Sequence, residues 1–192
     1  MVMPNNKEVL LIGSGEMNVL LAAEILSEAM AYRNKYTQIF QPDYTTNTTP
    51  KAILRVAIHI GNKKLPVCPP ICCPDYTIVF DDSILEVLNV TEGLKKAGIL
   101  LVNSSHTPHE LIEFFGIEFT TATVDVDVVS MKELDEESSN NHYTGILGAF
   151  CRISGEVSLE ELNQAVLAFY PGSITQELIK SMRKAFRTVK IV

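Results

Sequence analysis

The stretch LLIGSGEMN, Leu10 to Asn18, decides how the rest of the chain is read. Its apolar start completes a continuous run from Glu8 to Ile12, the mark of a strand buried on both faces. Gly13 and Gly15 bend the chain, and alanine, leucine, glutamate and methionine then predict a helix from Glu16 to about Arg33. A strand, a glycine bend and a helix form the opening of a βα unit, where bare amides and a helix N-terminus can meet phosphate. In the pattern G-x-G-x-x-G the first glycine makes the turn, the second admits the pyrophosphate, and the third lets helix and strand pack. Gly13 and Gly15 supply the first two, but Asn18 stands third and Glu16 puts a carboxylate where phosphate would be attracted. No ribose-binding acid follows at about 20 residues; Asp43 comes later, after Gln41-Pro42, in what reads as a loop.

Outward from this turn, strands and helices alternate. Lys51 to Ile60 (KAILRVAIHI) alternates apolar with Lys51, Arg55 and His59, predicting a half-exposed strand, antiparallel or at an edge. Tyr76 to Phe80 and Ile99 to Asn103 are further buried strands. Between them, Ser83-Ile84-Leu85-Glu86 has capping-box spacing, and VTEGLKKAG predicts a helix stopped by Gly98. HELIEFFG and IEFTTATVD add a short helix and a strand, and Asp135 to Asn141 reads as a solvated loop. The last fifty or so residues carry helical periodicity without an apolar strand run, with capping-box spacings at Ser158 to Glu161 and Ser173 to Gln176. The pattern predicts one α/β domain over residues 1–192: a mostly parallel twisted sheet, helices on both faces, and a helical C-terminal segment.

At 192 residues, 46% of them hydrophobic, the chain is long enough to bury a real core. It has no apolar run near the roughly 18 residues that span a bilayer and no secretion-type leader, which places it in the cytoplasm. A net charge of −7 argues against nucleic acid; the richest basic segment, Lys180 to Lys190, reads as the polar face of a terminal helix. Cys68, Cys72, Cys73 and Cys151 match neither iron–sulfur nor zinc spacing and read as small buried thiols. Asp81 and Asp82 could bind a metal or a ribose, but acids beside a helix start are ordinary. His106 and His109 are three apart, with Pro108 interrupting their helix and no third ligand near. No catalytic residue and no metal site is assigned, and the chain reads as a binding-type subunit.

Three segments, GSGEMNVLLAAEIL (Gly13 to Leu26), PDYTIVFDDSILEVLNVTEGLKKAGILLVNSS (Pro74 to Ser105) and GILGAFCRISGEVSLEELNQAV (Gly145 to Val166), together resemble the gamma subunit of the 2-oxoacid:ferredoxin oxidoreductases, such as the pyruvate and ketoisovalerate enzymes. The likeness runs in order from about Val9 to Phe186. It implies a Rossmann-like three-layer domain in an enzyme that oxidatively decarboxylates a 2-oxoacid, usually to an acyl-CoA, passing electrons to ferredoxin. Gamma carries no cofactor in that family; thiamine diphosphate lies between alpha and beta subunits and iron–sulfur clusters lie in beta and delta subunits. The implied partners are therefore alpha, beta and delta-type subunits, with ferredoxin met indirectly.

The resemblance places Gly13, Ser14, Gly15 and Pro50 on the anion or coenzyme A side of the complex. The family's turn is G-x-G-G-Q-G, and here Glu16, Met17 and Asn18 stand for Gly, Gln and Gly. Its second loop carries arginine and glycine before a proline; Thr45-Thr46-Asn47-Thr48-Thr49-Pro50 keeps only the proline. Added bulk and lost positive charge both weaken an anion site. Two functions stand: a gamma subunit with altered or absent coenzyme A use, or a divergent gamma-like binding module without enzymatic partners. A free-standing nucleotide-dependent enzyme ranks third.

Overall fold

The apolar run at the start of the chain becomes an interior strand of a sheet whose faces are both buried. The computed structural model describes residues 6–14, 17–45, 53–64, 73–126, 144–170 and 172–192. Among these, β1 (Lys7–Ser14) leads through α1 (Val19–Tyr32) to β2 (Tyr36–Thr45), β3 (Ile53–Gly61) and β4 (Tyr76–Val79). A 3-10 turn (Asp82–Glu86), β5 (Ile99–Asn103), α2 (Pro108–Phe115) and β6 (Thr120–Val124) follow, then α3 (Ile146–Ser154), α4 (Leu159–Phe169), α5 (Ser173–Thr188) and β7 (Lys190–Ile191). The sheet order is β2-β3-β1-β4-β5-β6-β7. β1, β4, β5 and β6 are parallel neighbours, while β3 and β7 run against the others, so the sheet is mostly parallel by strand direction.

Alternation along β1 sorts the two cores. Val9 and Leu11 join the buried faces of α1, α3, α4 and α5, whereas Leu10 and Ile12 join Ile84, Leu94, Leu111 and Ile117 from the 3-10 turn, α2 and their connections. This is the three-layer α/β arrangement expected from the strand–helix alternation. α1 buries Val19, Ala22, Ala23, Leu26, Ala29 and Met30, spacings of three, four and seven that form one stripe. Each large side chain fully buried in such a stripe contributes about 1.5–3 kcal/mol.

Arg33, just past α1, ties this layer to the start of α4. Its guanidinium donates to the carbonyls of Gly155 and Glu156 at 3.1 and 2.9 Å, and its Nε donates to Glu161 Oε1 at 3.0 Å. The other Glu161 oxygen accepts from the Ser158 amide at 2.6 Å while Ser158 Oγ accepts from Glu161 N, so the capping box expected at Ser158 forms.

Other local expectations are corrected. Asp43 lies in β2, an edge strand, rather than in a loop; the register to β3 shifts between Phe40 and Asp43, where Pro42 falls. A residue without an N–H is tolerated at an edge irregularity, and there proline does not end the strand. β3 is antiparallel to both neighbours, as expected, but it is interior rather than at an edge, and its polar side is more covered than a half-exposed strand: Arg55 is half-buried and His59 is buried. Ser83 does not cap; Asp81 does, accepting from the Ser83 amide at 2.9 Å, and only a 3-10 turn follows. The segment VTEGLKKAG forms turns instead of a helix. The Asn89 side chain accepts from both the amide and hydroxyl of Thr91, and Gly93 adopts φ +76°, each competing with helical bonding. Ser173 is the first residue of α5, whose N-cap is Gly172 with no side-chain cap bond. The two-residue β7, too short to show as an apolar run, pairs with β6.

Candidate functional site

In an open sheet of this kind ligands gather at the carboxyl ends of the parallel strands, here at Ser14, Phe80 and Asn103. At the first of these, a Cβ on Gly13 would stand 2.6 Å from Val19 Cγ2 and 3.1 Å from Phe80 Cβ. Close approach of α1 and the end of β4 therefore demands glycine at this position, independent of any ligand. Asn18 adopts φ +48°, ψ +39° as the N-cap of α1. Asparagine is among the few side-chain-bearing residues that visit this left-handed region readily, so it keeps the backbone geometry where the family pattern has glycine.

Met17 changes what the turn offers. It is 94% buried, and its Sδ accepts from the Ser14 amide at 3.4 Å. That donor is one an anion would otherwise meet, and a thioether occupies it. Ser14 is itself buried, with an Oγ that has no hydrogen-bond partner among the described residues. Gly15, Glu16, Thr46 to Thr49 and Pro50 lie outside the described residues, as do Cys68, Cys72 and Asp135 to Asn141.

The second and third strand ends are braced by their own side chains. Asp82 accepts from Ser104 Oγ, which in turn accepts from the His106 amide at 3.0 Å. The buried Asn103 amide donates to Phe80 O at 3.1 Å and accepts from Val126 N at 2.8 Å, joining the ends of β4, β5 and β6. Asp81 and Asp82 are thus engaged in capping and bracing. The sequence signal for this brace is an asparagine ending the apolar run Ile99 to Asn103.

His106 and His109 do not converge on a ligand. His106 meets Phe114 edge to face at 5.5 Å, and His109 is exposed in the first turn of α2. Pro108 does not interrupt the helix: it occupies the first turn, where no amide partner is required, behind a Thr107–Glu110 capping box. The Thr107 amide and hydroxyl hydrogen bonds hold the Glu110 carboxyl below its ordinary value. Among the described residues no group of three His, Cys, Asp or Glu side chains could hold a metal ion. Cys73 is exposed; Cys151 is buried, donates from Sγ to Val157 O at 2.9 Å, and is pushed up to about 11 by burial. A thiol held protonated in this way is a packing group rather than a nucleophile. Cys73 departs from the expectation of a buried cysteine: it is exposed, three residues before β4. Among the described residues no helix is long and apolar enough to cross a membrane.

The geometry here, Gly13 wedged between strand and helix and the neighbouring Ser14 amide covered by Met17, fits a packing and binding domain. Residues 8–189 match the family described as pyruvate ferredoxin/flavodoxin oxidoreductase. The chain is 30% identical over 185 residues to the pyruvate/ketoisovalerate oxidoreductases common subunit gamma of Pyrococcus abyssi, covering 96% of this chain and 97% of that one. It is 30% identical over 179 residues to pyruvate synthase subunit PorC of Methanocaldococcus jannaschii, covering 93% and 94%. The crystal structure of pyruvate oxidoreductase subunit PORC from Thermotoga maritima superposes with a TM-score of 0.79 at 26% identity, covering 97% of this chain and 98% of that one. The chain belongs to the pyruvate ferredoxin/flavodoxin oxidoreductase family, among its gamma-type subunits.

Proposed function

We propose that this chain is a gamma subunit that, as one domain, completes a cytoplasmic multisubunit enzyme oxidatively decarboxylating a 2-oxoacid and sending the electrons to ferredoxin. The observation that carries this reading is end-to-end correspondence: its relatives named as gamma or PorC subunits match it over nearly all of both chains. Its partners are alpha, beta and delta-type chains, and the cofactors belong to them. Thiamine diphosphate supplies the carbanion chemistry in such an enzyme; this chain shapes and packs the surrounding assembly.

In this reading the turn that holds Gly13 and Ser14 faces the acyl-acceptor side. A phosphate of coenzyme A does not fit the Ser14 amide as it stands, because Met17 already accepts from it. The subunit therefore contributes shape at this point rather than phosphate recognition, and coenzyme A use is weak or dispensed with. Co-expression of the host's alpha, beta and delta-type chains with and without this chain tests the role. The 2-oxoacid-dependent reduction of a viologen dye should require it, and full activity without it would refute the assignment.

A further inference from the structure

The positive charge of this acidic chain is concentrated in one place. Lys180, Arg183, Lys184, Arg187 and Lys190 are five of its 16 basic residues, in a stretch that holds no carboxylate, while the whole chain carries −7. Four of them lie on α5, spaced by three, four and seven, so they share one stripe. The opposite stripe, with Leu178, Met182 and Ala185, is buried in the core. Lys180, Arg183 and Arg187 are exposed, and no ion pair engages them among the described residues. Exposed Arg152 of α3 extends the same charge, its guanidinium lying 5.5 Å from the centre of the Phe186 ring.

Folding does not account for this stripe. Cations in the last turn of a helix complement its carbonyl end, which explains Arg187, but Lys180 and Arg183 sit in the body of α5. Like charges three and four apart on a helix repel one another, so the arrangement works against the helix it occupies. Solubility would be served as well by mixed signs. A binding surface explains what folding leaves over.

We propose that the exposed face of α5 is the docking surface for an acidic face of a neighbouring subunit in the oxidoreductase assembly. Charge complementarity selects that occupant. A nucleic acid would call for a basic surface on a larger scale, and the net charge opposes it. A membrane would call for large exposed apolar side chains interleaved with the cations on the helix, whereas the exposed apolar residues near this cluster, Ile191 and Val192, lie past the end of α5. An acidic protein face needs a line of exposed guanidinium and ammonium groups, which steer encounter and fix register.

This inference rests on the gamma-subunit reading, and one experiment separates the two. The full chain is mixed with the co-expressed alpha, beta and delta-type subunits, and association is followed at about 50 mM and about 300 mM salt, either side of strong screening. The variant Lys180→Gln/Arg183→Gln/Arg187→Gln, with thermal melting as a folding check, should melt no lower than the parent. It should associate at least about tenfold more weakly at low salt and lose most of the salt dependence. Equal association of parent and folded variant at low salt would overturn the docking surface and leave the gamma role standing. Failure of the parent itself to associate would overturn both. Loss in the variant of binding to anionic vesicles or duplex DNA, with subunit association unchanged, would reassign the stripe to a polyanion and refute the proposal.

Discussion

The Ser14 amide donates to the Met17 sulfur at 3.4 Å, inside the bend that joins β1 to α1. One contact within four residues thus fills the turn and occupies the amide through which such turns address phosphate. The fold of the bend is kept by Gly13 and Asn18, and its chemistry is set by Met17.

Replacing Met17 separates packing from hydrogen bonding. Met17→Leu preserves volume but orphans the Ser14 amide, and should cost about 1 kcal/mol in urea unfolding, with faster hydrogen exchange at Ser14. Met17→Ala adds a cavity and should cost about 2–5 kcal/mol. Unchanged exchange at Ser14 in the leucine variant would show that the sulfur contact does not hold the amide.

Glycines should divide by what surrounds them. A Cβ at Gly148 would fall 1.9 Å from the backbone oxygen of Met182, where α3 crosses α5, and backbone cannot swing aside as a side-chain tip can. Gly148→Ala should therefore cost about 3 kcal/mol or more, or prevent folding. Gly116→Ala, at φ +62° with open space around it, should cost only about 1–2 kcal/mol from left-handed strain. Melting temperatures of the two variants compare them directly.

His59 predicts a pH dependence. Burial pushes its imidazole below the ordinary value, and this outweighs the opposing pull of Glu8, whose Oε1 lies 3.9 Å away. The unfolded chain then binds the proton that the folded chain refuses, so stability is full above the ordinary value near 6.5 and falls as pH drops below it. Denaturant unfolding at about pH 5.5 and pH 7.5 should show that loss in the parent and a flatter response in His59→Leu. Parallel pH responses would refute it.

Thiol labelling should follow burial. Alkylation of the folded protein near pH 8 should modify Cys73 and spare Cys151, whose thiol is buried, raised and bonded to Val157 O. Labelling of Cys151 at the same rate as Cys73 would show that α3 opens from the core.

Periodicity made the sheet and α1 legible, because apolar runs ending at glycine or asparagine report burial on both faces. Three kinds of feature escaped it. Pro42 hid β2, since an edge irregularity tolerates a residue that an interior strand would reject. Local side-chain competition at Asn89 and the left-handed Gly93 dissolved a helix that propensity favours. Thr107, Pro108 and Glu110 spell a capping box in sequence, but Pro108 reads as an interruption until it is placed in the first turn of the helix. At the candidate site the substitutions at Met17 and Asn18 were visible, whereas their opposite effects were not. Asn18 preserves the turn through its backbone angles, and Met17 closes it by folding its sulfur back onto the Ser14 amide, a side-chain placement that spacing does not encode.

The central claim is that the chain is a gamma subunit whose turn gives shape without phosphate recognition. Its most direct test is anaerobic affinity purification of the tagged chain from its host, followed by 2-oxoacid-dependent viologen reduction with and without coenzyme A. Recovery of thiamine-dependent and iron–sulfur subunits, with activity that persists when coenzyme A is withheld, is the predicted result. A lone, inactive chain would contradict the subunit role and leave a divergent binding module; an active complex strictly dependent on coenzyme A would contradict the reading of the turn.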